Sequence, residues 1–85
     1  MNRKKRINEI LKKNLKNFDI SIEDKSNSHK GHNNFDGKGE THILLILKPK
    51  IIQKYNRLEI HGLINNLLKD EFSNGLHSLE INIIN

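Results

Sequence analysis

The sequence predicts a single small α+β domain in which helices pack on one face of a three-stranded mixed sheet. Three observations support this class. The chain has only 85 residues, which is enough for one domain with a small core. Its apolar residues recur at helical spacing in some segments and at strand spacing in others. These segments follow the order helix, strand, strand, helix or helix pair, strand.

The first segment is an amphipathic helix, predicted over residues 3–16. Its apolar residues recur at helical spacing: Ile7, Ile10, Leu11 and Leu15. Residues 1–16 carry seven basic side chains and one acidic one, whereas residues 17–85 carry eight basic and nine acidic. A solvated outer face accounts for this charge without a partner. The alternative interpretation is a binding surface for nucleic acid or another polyanion.

Two strands with a long connection between them follow the first helix. Apolar and polar residues alternate over residues 18–24, which indicates a strand with one buried face. Residues 25–40 hold three glycines and two histidines, which is typical of a flexible loop. Residues 41–48 are mainly apolar and predict a central strand. Pro49 marks its end, because proline lacks a backbone donor.

The second half of the chain predicts one long helical region and a final strand. The helical region covers residues 51–72, and Ile51–Tyr55 is expected to form a separate short turn of helix. The apolar stripe of this region consists of Leu58, Leu63, Ile64, Leu67, Leu68 and Phe72. Gly75 lies just past the predicted helix end. Leu79, Ile81 and Ile83 alternate with polar residues in the last strand, which ends in Ile84.

Composition excludes several classes of protein. The chain has no cysteine, so it has no disulfides, no thiolate nucleophile and no iron–sulfur cluster held by its own sulfur. The longest apolar run, Ile43–Leu47, is too short for a membrane span or a signal peptide, which predicts a soluble, uncleaved, cytoplasmic protein. No paired-carboxylate constellation and no glycine-rich phosphate loop are present. The sequence therefore predicts a protein that is not an enzyme.

The five histidines are the side chains with a preference for transition metals. His29 and His32 lie in the long loop, where they can either reach a metal or remain solvated. His42 opens the central strand and His61 lies in the long helix, and both are interpreted as structural. His77 has the parity of the apolar residues in the last strand. It is therefore expected to project at the edge where the helices stop covering the sheet.

Three motifs in order resemble the BolA family. They are Gly39-Glu40-Thr41-His42 before an apolar strand, His61 followed by a helix that ends in Lys69-Asp70-Glu71-Phe72, and the closing Gly75-Leu76-His77-Ser78-Leu79. The resemblance covers residues 5–84. Ser78 replaces the usual alanine, Gly62 replaces the arginine that usually follows the helix histidine, and Ile52–Lys54 stands where the family has a Phe-x-Gly turn. The last two differences weaken the proposed nucleic-acid role.

The resemblance implies a fold like the second class of KH domains, with the whole of residues 1–85 as one BolA-like domain. It also implies pairing with a monothiol glutaredoxin through a shared 2Fe–2S cluster, in iron–sulfur trafficking, iron sensing or iron homeostasis. His77 would be one ligand and His32 the second, with His29 as its substitute. The glutaredoxin cysteine and glutathione would provide the missing thiolates. No membrane partner is expected.

The second function that the resemblance implies is transcriptional regulation through DNA binding. Either the basic first helix or the turn that carries Lys50, Lys54 and Arg57 would contact the DNA. Aromatic residues make up only 5% of the chain, so base stacking has few candidates. Both functions make the protein a binding module.

Overall fold

The protein folds as three helices and a three-stranded sheet in the computed structural model, which describes residues 2–25 and 41–84. The elements in chain order are α1 (Arg3–Asn14), β1 (Phe18–Asp24), β2 (His42–Pro49), α2 (Arg57–Leu67), α3 (Lys69–Ser73) and β3 (Ser78–Ile83). The strand order is β1-β2-β3, with β1 antiparallel and β3 parallel to β2. The predicted fold class, element order and central position of β2 are confirmed.

α1 begins and ends close to the predicted positions. The side chain of Asn2 caps the helix by accepting a hydrogen bond from the backbone N–H of Lys5 at 2.9 Å. Ile7 and Leu11, one turn apart, are fully buried. The helix ends at Asn14, two residues before the predicted end, but Leu15 still reaches the core.

One face of the sheet forms the core with the helices. Ile43, Leu45 and Leu47 of β2 are buried, while the residues between them are only half-buried. Because successive strand residues point to opposite faces, this pattern identifies the helix-covered face. Twelve buried apolar residues form one cluster there: Ile7, Leu11, Leu15, Phe18, Ile43, Leu45, Leu47, Ile60, Ile64, Leu68, Leu76 and Ile83.

The predicted helical turn at Ile51–Tyr55 is wrong. This segment has bends at Ile51 and Ile52 and no helix, and α2 begins only after Asn56, whose side chain accepts a hydrogen bond from the Glu59 N–H at 3.1 Å. Ile51 and Ile52 are both exposed and only Tyr55 of this segment packs against the core, so burial of an apolar helix face does not stabilise a helix here. The two helices of the predicted pair are α2 and α3 instead.

The predicted apolar stripe of the second helical region is wrong at three positions. Ile64 and Leu68 are fully buried, but Leu58, Leu63 and Phe72 are exposed. Ile60, absent from the prediction, is buried in their place. Residues four apart share a helix face, so Ile60, Ile64 and Leu68 point to the core together, and Leu58, two positions before Ile60, points away from it.

Gly75 ends α3 as predicted, through a Schellman motif. Its φ of 117° lies in the region that favours glycine. The N–H of Leu76 donates to the Glu71 carbonyl at 2.9 Å, which is the bond that closes this motif. Leu76 is buried, so the chain reaches β3 from a fixed point.

Candidate metal-binding site

His77 lies at the exposed edge of the sheet. It immediately precedes β3, its side chain is exposed, and its backbone N–H donates to the Thr41 carbonyl at 2.8 Å. Buried Leu76 comes just before it and fixes the backbone at that point. The predicted position of His77 at the edge of the helix-covered region is thus what the structure shows. Its imidazole is accessible to a metal or a partner.

His42 is the neighbour of His77 across the two parallel strands. It is the first residue of β2 and is half-buried. The two imidazole ring centroids lie 6.0 Å apart in an edge-to-face arrangement, with an interplanar angle of 76°. The Thr41 hydroxyl oxygen lies 3.0 Å from Nδ1 of His42, within hydrogen-bonding distance. The structure therefore adds His42, interpreted from the sequence as structural, to the surroundings of His77.

Strand alternation alone places these two imidazoles on opposite faces of the sheet. His42 pairs with Ser78, and His77 has the parity of the other face. However, the backbone N–H groups of His77 and Ser78 both donate to the same carbonyl, that of Thr41, at 2.8 and 3.1 Å. Successive N–H groups of an extended strand point in opposite directions, so the backbone at His77 departs from strand geometry. This departure lets the two rings meet.

The predicted loop ligands His32 and His29 lie outside the described residues. The connection that carries them begins and ends at the sheet edge that holds His42 and His77. Lys25, just before this connection, donates its backbone N–H to the His42 carbonyl at 2.7 Å. Within residues 2–25 and 41–84, no three side chains of His, Cys, Asp or Glu come together as a metal site.

His61 lies elsewhere in the fold. It is half-buried on α2 and lines a shallow groove together with Arg57, Leu58 and the end of β3 from Ile81 to Ile84. His77 precedes the other end of β3, so the two histidines do not share a site. The structural role of His61 stays a prediction.

The predicted nucleic-acid residues also lie away from His77. Lys50, Lys54 and Arg57 are exposed around the connection from β2 to α2, which starts at the opposite end of β2 from His42. The apolar side chains of Ile51 and Ile52 are exposed between them. This region combines positive charge with apolar surface.

An ion cluster around the buried Glu71 carboxylate holds the segment that leads to His77. The Glu71 carboxylate in α3 accepts hydrogen bonds from Arg3 Nε at 2.9 Å and from Arg6 Nε and Nη2 at 2.8 and 2.9 Å. Arg3 also donates from Nη2 to the Asn74 carbonyl at 2.7 Å. Sequence reasoning missed this cluster, because it treated the basic residues of α1 as a solvated or polyanion-binding face.

The Arg6 guanidinium is the main reason that the pKa of Glu71 lies below its ordinary value of 4.5. Burial acts in the opposite direction, and hydrogen bonding from Arg3 adds to the lowering. Glu71 is therefore ionised at neutral pH. The negative charge ties α1 to α3, three residues before the turn at Asn74 and Gly75 that leads to β3.

Comparison with known proteins identifies the family. A family model described as BolA-like protein matches residues 11–85. The chain is 37% identical over 82 residues to Protein BOLA1, chloroplastic, of Arabidopsis thaliana, covering 94% of this chain and 51% of that protein. It is 39% identical over 80 residues to SufE-like protein 1, chloroplastic/mitochondrial, of the same plant, covering 89% of this chain and 22% of that protein. The chain thus spans about half of the first relative and less than a quarter of the second.

A third relative matches over most of its own length. The chain is 36% identical over 84 residues to the UV-induced protein uvi31 of Schizosaccharomyces pombe, covering 95% of this chain and 82% of that protein. Two relatives have chloroplastic in their names, so the cytoplasmic location stays a prediction. In the described ranges, no helix combines the length and apolar character that crossing a membrane requires.

Solved structures agree with the family match. BolA1 from Arabidopsis thaliana has a TM-score of 0.78 and 35% identity, covering 98% of this chain and 90% of that one. The BolA domain of SufE1 from the same plant has a TM-score of 0.73 and 36% identity, covering 98% and 92%. Since the family match includes most of the sequence and the solved structures share the fold, the chain belongs to the BolA family.

Proposed function

We propose that this protein pairs with a monothiol glutaredoxin and contributes imidazole ligands to a 2Fe–2S cluster that the two proteins share. The main support is the exposed imidazole of His77 at the sheet edge. Imidazole is an established ligand of iron in 2Fe–2S centres, where two histidines can replace two cysteines on one iron. The residues at this edge therefore fit the donor set that such a cluster needs.

The absence of cysteine makes the partner necessary. The chain has no thiolate to offer, so it cannot hold a 2Fe–2S cluster alone. The glutaredoxin cysteine and glutathione would provide the sulfur ligands. On the side of this chain, His77 is one ligand and His32 the second, with His29 as its substitute. The described residues on either side of the segment that carries both loop histidines lie at this edge: Lys25 donates its backbone N–H to the His42 carbonyl, and Thr41 accepts from His77.

Coexpression with a monothiol glutaredoxin tests this function. We expect a coloured complex with one copy of each protein, and a visible circular dichroism spectrum that changes in His77→Ala and in His32→Ala. His61→Ala is the matched control, because His61 is a half-buried histidine away from the sheet edge. A colourless mixture would contradict the partner. A spectrum that is unchanged in both His77→Ala and His32→Ala would contradict the ligands.

Regulation by DNA binding is the second candidate, and the exposed basic residues around the β2–α2 connection favour it. Each phosphate that is neutralised contributes about 0.9 to the slope of log affinity against log salt concentration. We expect a variant with Lys50, Lys54 and Arg57 changed to glutamine to lose affinity and to have a slope smaller by up to about 3. An unchanged slope would remove this region as the DNA contact.

A further inference from the structure

We propose that His42 and His77 together bind one divalent transition-metal ion, of the kind that imidazole prefers, on the isolated protein. The proposal is independent of the glutaredoxin complex, because it requires no sulfur ligand and no partner. Imidazole nitrogen is a common ligand of zinc, copper, nickel and iron. Both histidines belong to the described part of the fold, and their ring centroids lie 6.0 Å apart in an edge-to-face arrangement at the sheet edge.

The distance between the two rings is compatible with one shared ion. Zinc–nitrogen bonds are about 2.0–2.1 Å long, so two imidazoles on one tetrahedral ion have ring centroids about 5 Å apart. The observed separation is 6.0 Å. The two ring planes are 76° apart, edge to face, so their nitrogen lone pairs do not converge in this arrangement. Binding one ion therefore requires the exposed His77 side chain to rotate, which must also close the difference of about 1 Å.

The Thr41 hydroxyl provides the second feature of a metal site. A metal-bound histidine usually donates a hydrogen bond from its other ring nitrogen, which fixes the tautomer and the orientation of the ring. The Thr41 hydroxyl oxygen lies 3.0 Å from Nδ1 of His42 and can accept this bond. In that tautomer, Nε2 of His42 is the nitrogen that coordinates. Thr41 is thus a positioning residue for the ion.

The backbone around both histidines is fixed by buried neighbours. His42 precedes Ile43 and His77 follows Leu76, and both of these apolar side chains are 2% exposed. The Thr41 carbonyl accepts hydrogen bonds from the His77 and Ser78 N–H groups, which links the starts of the two strands. A site on such rigid elements requires little ordering when the ion binds. Water completes the coordination, as in open metal sites.

Zinc titration of the purified protein, with no glutaredoxin present, tests the site. Calorimetry measures the affinity for Zn²⁺, and NMR follows the ring protons of each histidine. We expect one ion per chain, with shifts at His42 and His77. His42→Gln and His77→Ala should each weaken binding at least about tenfold, because each removes one of two protein ligands. Glutamine retains the size and polarity of the half-buried His42 side chain.

Three further variants sharpen the result. Thr41→Val removes only the hydroxyl and should weaken zinc binding several-fold, up to about tenfold. His61→Ala should bind as the original protein does, and the double variant His29→Ala/His32→Ala should still bind zinc through His42 and His77. Circular dichroism and thermal unfolding without metal establish that each variant is folded before its affinity is compared.

Three results would overturn the proposal. The first is a wild-type protein that binds no zinc at millimolar concentration. The second is a folded His42→Gln variant that binds as tightly as wild type. The third is binding lost in His29→Ala/His32→Ala but kept in His42→Gln, which would assign the ion to the loop. Cluster formation with a glutaredoxin is measured separately, so failure of one proposal does not imply failure of the other.

Discussion

Replacing Glu71 with glutamine should destabilise the fold, because its carboxylate joins α1 to the end of α3. The carboxylate receives three hydrogen bonds of 2.8–2.9 Å from two guanidinium groups. Glutamine has the same size but retains one acceptor oxygen and presents an amide NH₂ group to the arginine donors. The substitution removes the negative charge and one of the two acceptor oxygens that the guanidinium groups share.

The size of the effect follows from the exposure of the partners. The Glu71 side chain is 8% exposed and that of Arg3 is 11% exposed, so their pair is close to a buried one. The Arg6 side chain is 40% exposed, and solvent reduces its contribution to that of a surface pair, at most about 1 kcal/mol. A hydrogen bond to a charged group contributes about 1.5–3 kcal/mol when buried. We therefore expect a loss of about 2–3 kcal/mol, or roughly 10–20 °C in Tm.

Thermal and urea unfolding followed by circular dichroism measure this loss. Glu9→Gln is the matched control, since Glu9 is exposed on α1 and its substitution should change stability by less than about 0.5 kcal/mol. Arg3→Gln, Arg6→Gln and the two double variants with Glu71→Gln give the coupling energy of each pair. If Glu71→Gln and Glu9→Gln had the same Tm, the ion cluster would not contribute to stability and our reasoning would be wrong.

Three other predictions concern single positions. Because the pKa of Glu71 is lower in the folded than in the unfolded protein, its contribution to stability is present above about pH 4.5 and is lost as the pH falls through the folded-state pKa. Urea unfolding of the wild type should therefore show a free energy of unfolding that decreases at acid pH. An equal decrease in Glu71→Gln would contradict the assignment of this effect to Glu71. Gly75→Ala should lower the free energy of unfolding in urea by about 1–3 kcal/mol, because φ at Gly75 is 117° and a Cβ would lie 3.3 Å from Arg3 Nη2. An unchanged free energy of unfolding would contradict this backbone conformation. Leu68→Ala should lower the free energy of unfolding by about 2–5 kcal/mol, because Leu68 is fully buried. Leu58→Ala should lower it by less than about 0.5 kcal/mol, because the Leu58 side chain is 84% exposed. Equal losses in the two variants would contradict the assigned helix face.

The sequence was sufficient to predict the elements whose apolar pattern is regular. β1 was predicted over its observed range, and β2 and β3 within a residue, because alternation identifies a half-buried strand. The second helical region was harder to predict. It contains more apolar residues than its buried face needs, so Leu58 was included and Ile60 was missed. α2 and α3 are separated at Leu68, whose side chain is fully buried, and no helix-breaking residue marks this position in the sequence.

The candidate site was predictable only in part. The sequence places His77 next to the last strand, where its side chain is exposed, but strand parity does not describe that side chain, because the backbone there departs from strand geometry. Its contact with His42 was not predictable, because it depends on a local departure from strand geometry that brings two N–H groups to the Thr41 carbonyl. The role of Glu71 was missed for a different reason. Its partners Arg3 and Arg6 are more than sixty residues away, and no local spacing indicates such a pair.

The parallel pairing of β2 with β3 has a consequence for how an ion and the fold would affect each other. Strands that run in the same direction need a crossover, here α2 and α3, so His42 and His77 meet only after the chain has folded through both helices. An ion that needs both imidazoles would then bind the native chain and not the unfolded one. At a hundred times its dissociation constant, such an ion adds about 2.7 kcal/mol to the free energy of unfolding. The melting temperature would therefore report the free metal concentration.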